Sequence, residues 1–142
     1  MKQTSVTATA DFAFRLDGRS GVPVFRQLID QVLGAIATGT LRAGDQLPTV
    51  RQVAVDLAIN PNTVMRAYRE MEIRGILDTQ QGTGTFIAEQ KTPPSSDERA
   101  RQLMQLADDC VARAGALGFT LAELMERLRE IEQGAQFNRR TP

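Results

Sequence analysis

Residues 47–75 read LPTVRQVAVDLAINPNTVMRAYREMEIRG, and this stretch decides the fold. Thr49 and Gln52 match a capping box, in which each side chain satisfies a free amide of the first helical turn. After a short turn, Asn60 is a favoured N-cap and Pro61 a favoured first residue of a second helix. Apolar residues recur at helical spacing in both segments: Val50, Val53, Ala54 and Leu57, then Val64, Ala67, Tyr68 and Met71. Two such helices joined by a short turn predict a helix-turn-helix.

A β-hairpin is predicted directly after these helices. Gly75 ends the second helix, residues 76–79 and 85–88 are strand-like, and the glycine-containing segment 80–84 separates them. Short strand-like runs around a glycine-containing turn predict a hairpin. A hairpin in this position is typical of the wing of a winged helix.

A helix and a short strand are predicted before the quoted stretch. Pro23 occupies a favoured helix start, and apolar residues continue at helical spacing, which predicts a helix over 23–38. Residues 12–16, Phe-Ala-Phe-Arg-Leu, alternate apolar and polar, and this alternation predicts a short strand.

Two further helices are predicted after the wing. Prolines and serines make residues 91–96 a linker. Helical patterning resumes from 97 to about 114. Thr120 and Glu123 then form a second capping box, and the last helix is predicted to end near Gly134.

Composition excludes several classes of function. The 142 residues carry 17 basic and 17 acidic side chains and no His, and Cys110 is the single cysteine. Without His, the commonest general base and metal ligand is missing, so no catalytic site, metal or cofactor is expected and the chain is predicted not to be an enzyme. No apolar run approaches the length of a membrane span or a signal peptide, which favours a cytoplasmic protein.

The placement of arginine points to nucleic acid, although the net charge is zero. Fifteen of the 17 basic residues are Arg, which favours bidentate recognition of phosphate and guanine. The second helix presents short polar and Arg side chains outside its apolar stripe, Arg51 lies in the first turn of the preceding helix, and the wing tip is small. The predicted DNA-contacting residues are Arg51, Asn60, Asn62, Thr63, Arg66, Gln81, Gly82 and Thr83. The competing interpretation is a solvated helix face on which Glu70 pairs with Arg66 or Arg74.

Several separate motifs occur in an order that resembles the GntR family. They are Gly44-Asp45-Gln46-Leu47-Pro48-Thr49-Val50-Arg51-Gln52, Asn60-Pro61-Asn62-Thr63-Val64, Arg66-Ala67-Tyr68, Glu72, Gly75 and Gly82-Thr83-Gly84-Thr85-Phe86, with Pro23-Val24-Phe25-Arg26-Gln27-Leu28 resembling the opening helix. The resemblance covers about residues 12–88. It implies a bacterial repressor whose recognition helix enters the major groove and whose wing reaches the minor groove.

Two features of the chain resemble the YtrA-type subfamily: the residues after the Thr-Val pair and the C-terminal tail. Many GntR members carry an Arg directly after the Thr-Val pair, whereas this sequence has Met65 followed by Arg66. The tail, and residues 118–124 in particular, is similar to the two-helix dimerisation segment of that subfamily. The resemblance further implies control of the protein's own operon and of an adjacent ABC-transporter or export operon.

A C2 homodimer is predicted because two short helices cannot bury their apolar stripes alone. The predicted dimerisation residues are Leu103, Ala107, Cys110, Val111, Leu121, Leu124, Met125, Leu128 and Ile131. The expected partners are double-stranded DNA with a palindromic operator, a second copy of the chain and a small-molecule effector whose identity the sequence does not give, with no membrane. For the effector, the alternative is no ligand at all, with control by protein level through binding to the protein's own promoter. The alternative function is a winged-helix module that binds proteins and no DNA.

The predicted fold class is mainly α with a small β wing: an N-terminal winged helix-turn-helix plus a C-terminal two-helix dimerisation segment. The predicted boundaries are 1–11 for a flexible N-terminus, 12–90 for the DNA-binding domain, 91–96 for the linker, 97–134 for the dimerisation segment and 135–142 for a flexible tail.

Overall fold

Five helices and a small sheet make up the fold in the computed structural model, which describes residues 12–89 and 94–140 without the side chains of residues 138–140. The chain divides into two units, Met1–Glu89 and Gln90–Pro142. The elements in chain order are α1 (Val24–Ala37), β1 (Gln46–Leu47), α2 (Val50–Leu57), α3 (Pro61–Ile73), β2 (Leu77–Gln80), β3 (Gly84–Ile87), α4 (Ser96–Ala116) and α5 (Leu121–Arg140). The predicted class, mainly helical with a small β wing, is confirmed.

Helices α2 and α3 form the predicted helix-turn-helix. The Asn62 amide donates to Asn60 Oδ1 at 2.8 Å, so Asn60 caps α3 as expected. Only half of the first capping box forms: the Gln52 amide donates to Thr49 Oγ1 at 3.1 Å, but the Gln52 side chain donates to Asp56 at 2.9 Å. In the turn, Ala58 adopts a left-handed conformation with φ +53°, which reverses the chain between the helices.

The core of the N-terminal unit lies where α1, α2, α3 and the sheet meet. The apolar stripes predicted for the three helices are the faces that turn inward. The largest fully buried side chains are Leu28, Ile29, Leu41, Leu47, Met71, Val32 and Val64. Because α3 contributes a buried stripe along its length, its opposite face remains available to solvent.

The sheet is antiparallel with strand order β1-β3-β2. Leu77 pairs with Ile87 in the wing, and both strands lie within one residue of their predicted positions. Strand β1 was not predicted. It pairs Leu47 with Thr85 and joins the segment before α2 to the wing.

The strand predicted over residues 12–16 is wrong. Phe12 and Phe14 are buried, as the alternation indicated, but the segment is not part of the sheet. The side chain of Gln31 on α1 takes the place of a neighbouring strand. Gln31 Oε1 accepts from the Arg15 amide at 2.7 Å, and Gln31 Nε2 donates to the Arg15 carbonyl at 2.6 Å.

The C-terminal unit consists of α4 and α5. Ser95 caps α4, and the Thr120–Glu123 capping box forms in both directions, with bonds of 2.8 and 3.2 Å. Helix α5 extends past its predicted end at Gly134 to Arg140. A glycine inside a helix costs only about 1 kcal/mol relative to alanine, and its neighbours are good helix formers.

Parts of the predicted organisation lie outside the described residues. They are the N-terminus 1–11, residues 91–93 of the linker and the last two residues of the tail.

Candidate nucleic-acid interface

The amino-terminal end of α3 is an exposed, electropositive helix terminus. Pro61 and Asn62 are exposed there, and Thr63 is half-buried. Within the described part of the chain, the first turns of α2 and α3 contain no acidic residue, whereas the first turn of α4 contains Asp97 and Glu98. The free amides and the helix dipole at an N-terminus favour anions. The two helices of the helix-turn-helix therefore leave these positions open to phosphate.

The exposed arginines of α2 and α3 are not paired with carboxylates in the part of the chain that the structure describes. Among the residues that the structure describes, every ion pair lies within α4 or α5. Arg51, Arg66 and Arg69 are exposed, and no carboxylate oxygen of residues 12–89 or 94–137 lies within 4.0 Å of them. The competing interpretation, in which Glu70 pairs with Arg66 or Arg74, is therefore not supported by the structure.

Arg66 is held by an aromatic ring. Its guanidinium carbon lies 3.8 Å from the centroid of the Phe25 ring on α1. That distance is well inside the range of about 6 Å for a cation–π interaction. The Arg66 side chain therefore lies against α1 at the surface of the N-terminal unit.

An open groove of about 430 Å³ runs along the exposed face of α3. It brings together two of the predicted contact residues, Asn62 and Arg66, with the exposed apolar side chain of Met65 between them in sequence. The complete lining is Asn62, Met65, Arg66, Arg69, Glu70 and Ile73. Arg51, Asn60 and Thr63 do not line this groove.

The wing tip places Gln81, Gly82 and Thr83 in solvent. The Thr83 amide donates to the Gln80 carbonyl at 3.0 Å, and Gly82 has φ +79°, so the turn is closed and narrow. Gln46 on β1 supports the tip by donating from Nε2 to the Thr83 carbonyl at 3.2 Å.

Two polar contacts fix α3 to its surroundings. The Tyr68 hydroxyl is buried and donates to the Pro48 carbonyl at 2.5 Å, and burial raises the pKa of Tyr68 well above its ordinary value of 10.0. Thr79 Oγ1 on β2 donates to Glu72 Oε1 at 2.6 Å. Helix α3 is thus connected both to the segment before α2 and to the wing.

Sequence reasoning missed three supporting residues: Phe25, Gln46 and Glu72. Each contributes through a side-chain contact with a residue of another element. All three belong to the motifs that carry the family resemblance, which was the available signal for them.

The C-terminal unit leaves most of its apolar side chains exposed. Of the nine predicted dimerisation residues, only Leu124 is half-buried and the others are exposed. A second groove of about 450 Å³ lies near the α4–α5 turn. Its lining is Cys110, Arg113, Ala114, Leu117, Phe119, Glu123, Leu124 and Arg127.

The described residues 12–89 and 94–140 contain neither a metal-binding cluster nor a membrane-spanning helix. No group of three or more Cys, Asp or Glu side chains there is arranged to hold a metal ion. No helix there has the length and apolarity needed to span a membrane.

A helix-turn-helix with an antiparallel hairpin after its second helix defines a winged-helix domain. Residues 25–87 match the family of bacterial regulatory proteins called gntR. The chain is 34% identical over 116 residues to the uncharacterized HTH-type transcriptional regulator YhcF of Bacillus subtilis, covering 82% of this chain and 95% of that protein. It is 33% identical over 117 residues to the HTH-type transcriptional repressor YtrA of the same organism, covering 82% and 90%.

A solved structure has the same fold over most of both chains. A transcriptional antiterminator from Listeria monocytogenes EGD-e superposes with a TM-score of 0.66 at 26% identity, covering 89% of this chain and 94% of that one.

The family match and the relatives together show that the chain belongs to the gntR family of bacterial regulatory proteins. It is a DNA-binding transcriptional regulator similar to YtrA.

Proposed function

We propose that this protein is a cytoplasmic, dimeric repressor that binds a palindromic operator in double-stranded DNA. Its targets are its own operon and an adjacent ABC-transporter or export operon. The proposal is carried by one observation, made on the exposed face that α2 and α3 share. Its arginines have no carboxylate partner among the residues that the structure describes, and its helix N-termini have no acidic residue in the first turn.

The residues of the helix-turn-helix that are predicted to contact DNA each have a proposed role. Helix α3 enters the major groove, where Asn62 and Thr63 at its N-terminus and Arg66 one turn later reach base edges. Arg51 binds a phosphate at the N-terminus of α2. Asn60 orients α3, because its side-chain oxygen is already used as the helix cap.

The wing makes a second contact with the duplex. Gln81, Gly82 and Thr83 are exposed at a narrow tip without bulky side chains, which suits a close approach to the minor groove or the backbone.

Arg51→Ala and Arg66→Ala are expected to weaken DNA binding in different ways. Loss of a phosphate contact lowers affinity for all sequences and reduces the salt slope by about 1. Loss of a base contact costs about 1–3 kcal/mol and relaxes one operator position. The measurement is a salt-dependent gel shift on DNA selected from random sequence, with Arg99→Ala in α4 as the charge-matched control.

The outcomes separate the proposed roles. Uniform weakening by both variants would reassign Arg66 to the backbone, and no effect of either would remove α2 and α3 from the interface. If the wild-type chain binds no DNA at any salt concentration, the protein-binding module becomes the better interpretation.

The proposed dimer is held by α4 and α5. Leu121 and Leu128 on α5 are 52% and 53% exposed in the single chain. A stable interface covers about 800 Å² on each partner, and apolar side chains are its usual centre. Leu128→Glu is therefore expected to give monomers by sedimentation, and Gln133→Glu, with the same added charge on an exposed position of α5, is expected to leave the dimer intact. Truncation after Lys91 should also give monomers; a tight dimer from the truncated chain would refute this assignment.

The groove of about 450 Å³ near the α4–α5 turn is the proposed site of a small-molecule effector. Its volume lies in the range of about 300–1,000 Å³ that is usual for ligand pockets. An effector acts by changing the spacing of the two recognition helices, which fit one face of DNA at about 34 Å. Thermal-shift screening against transporter substrates, followed by operator binding, tests this. A ligand that stabilises the protein without changing operator affinity does not act by this mechanism.

A further inference from the structure

We propose that Phe25 is a positioning residue for DNA recognition: its ring holds the Arg66 guanidinium in the orientation in which Arg66 reads one base of the operator. The inference rests on the proposed function, in which α3 enters the major groove. It assigns to α1 a part in base specificity, although Phe25 itself makes no contact with a base.

The contact joins a fixed ring to an exposed cation. Phe25 is half-buried and packs against the hydrophobic core in the first turn of α1. Arg66 is exposed, and its guanidinium carbon lies 3.8 Å from the ring centroid. Since no carboxylate of the described residues lies within 4.0 Å of Arg66, the ring is the partner that orients its charge.

In the proposed arrangement the Phe25 ring covers the face of the guanidinium and leaves its hydrogen-bonding edge free. The five N–H donors of Arg lie in the plane of the group, and a ring that covers its face uses none of them. An ion pair with a carboxylate would occupy the same edge that guanine O6 and N7 require. A stack therefore fixes the side chain and keeps its bidentate capacity.

Prior ordering of Arg66 reduces the cost of binding. A flexible side chain loses rotamer freedom when it is immobilised at an interface, and a side chain that is already held loses less. The corresponding gain in affinity is about two- to tenfold. Asn62 precedes Arg66 by one helical turn and lines the same groove, so the two groups are presented on one face of α3.

The test is a double-mutant cycle between Phe25 and Arg66 in the full-length chain. An operator is first selected from random DNA with the wild-type protein, and affinities are then measured for it and for every single-base variant. Phe25→Leu, which keeps apolar volume and removes the ring, is expected to weaken operator binding about two- to tenfold. It should relax discrimination at the same operator position as Arg66→Ala. In the Arg66→Ala background, Phe25→Leu should have no further effect.

Three control variants separate positioning from stability and charge. Phe25→Tyr keeps the ring and should retain wild-type specificity. Arg26→Ala removes a neighbouring cation 6.0 Å from the same ring and should leave the discriminated position unchanged. Leu33→Ala, at another half-buried position of α1, should lower the free energy of unfolding without relaxing any position.

A measurement without DNA tests the stack itself. The side-chain proton resonances of Arg66 should show ring-current shifts in the wild-type chain and in Phe25→Tyr, and not in Phe25→Leu. Absence of these shifts in the wild-type chain overturns the inference. So does equal weakening by Phe25→Leu in both Arg66 backgrounds, or tighter binding by Phe25→Leu. If the stack is present and the wild-type chain binds no DNA, the proposed function fails, and the inference fails with it.

Discussion

Raising the pH above 10 is expected to destabilise the N-terminal unit through one residue, Tyr68. Its side chain is 2% exposed, and its hydroxyl donates to the Pro48 carbonyl at 2.5 Å. An ionised Tyr68 has no proton to donate and would place a negative charge against a carbonyl oxygen in an apolar core. Burial therefore holds the pKa of folded Tyr68 well above its ordinary value of 10.0.

The sign and size of the effect follow from proton linkage. The folded pKa is raised, so the contribution of neutral Tyr68 to stability is fully present below pH 10 and is lost as the pH rises above it. Above pH 10 the unfolded chain has released a proton that the folded chain still holds. The free energy of unfolding then falls by about 1.4 kcal/mol for each pH unit, or about 2.7 kcal/mol by pH 12. That is a large share of the roughly 5 kcal/mol expected for a small domain.

The assay is a spectroscopic titration of the native protein. The chain contains one Tyr and no Trp, so the near-ultraviolet absorbance of tyrosinate reports Tyr68 alone. Tyrosinate is expected to appear together with the loss of helical circular dichroism, because Tyr68 ionises when the unit unfolds. A reversible titration with a midpoint near pH 10 in a chain that keeps its helical signal would refute the burial of this hydroxyl.

Tyr68→Phe is the matched control. It removes the titrating group and leaves the Pro48 carbonyl without its donor, which is expected to lower the free energy of unfolding at pH 7 by about 1–2 kcal/mol. Because it lacks the alkaline penalty, the variant should be more stable than the wild-type chain at pH 12. If the two stability curves remain parallel from pH 8 to pH 12, the linkage argument is wrong.

Three backbone-related predictions are measured by urea denaturation followed by circular dichroism. Ala58→Gly should stabilise the N-terminal unit by about 0.5–1 kcal/mol, because φ +53° is strained for alanine and not for glycine; a loss of stability would contradict this. Gly84→Ala should cost about 1–3 kcal/mol, since φ is +138° and the added Cβ would meet the side chain of Gln46; an unchanged midpoint would argue against that packing. Gln31→Ala should cost about 1–3 kcal/mol by removing two hydrogen bonds to the Arg15 backbone, with Gln52→Ala, which loses one exposed side-chain contact, as the milder comparison.

The elements that sequence reasoning located are those whose signals are local. Periodic apolar positions and N-caps lie within a few residues of one another, so α2 and α3 could be read from residues 49–73 alone. The wing followed from a glycine-containing turn between two strand-like runs. In each case the decisive interactions join residues that are close in sequence.

The features that were missed depend on partners far along the chain. The alternation in residues 12–16 correctly indicated buried side chains, but the group that takes the backbone hydrogen bonds of Arg15 is a side chain on α1. Strand β1 has two residues, too few for a periodicity, and exists because β3 pairs with it. The half-formed capping box has a similar origin, since Asp56 competes for the Gln52 side chain.

The same distinction between local signals and distant partners applies to the candidate interface. Exposed polar residues at the start of α3 could be listed from sequence, because the apolar stripe defines the opposite face. Which of them share the groove depends on the three-dimensional structure: Asn62 and Arg66 line it, and Thr63 does not. The structural task of Asn60 could be predicted from its position before Pro61, and the structure confirms that its side-chain oxygen caps α3.

Helix α3 is a core element and, in the proposed function, also the element that reads DNA, and this double use predicts that specificity extends beyond its exposed face. Val64, Ala67 and Met71 are fully buried, while Asn62 and Arg66 lie in solvent on the same helix. A rotation of α3 that repacks the buried stripe therefore moves the exposed groups by a comparable distance. The contacts of α3 with the segment before α2 and with the wing oppose such a rotation. A variant at Tyr68 or Thr79 is therefore expected to change operator recognition through the position of α3, whereas Phe25→Leu is expected to act through Arg66 alone. Comparison with the free energy of unfolding distinguishes displacement of α3 from loss of the fold.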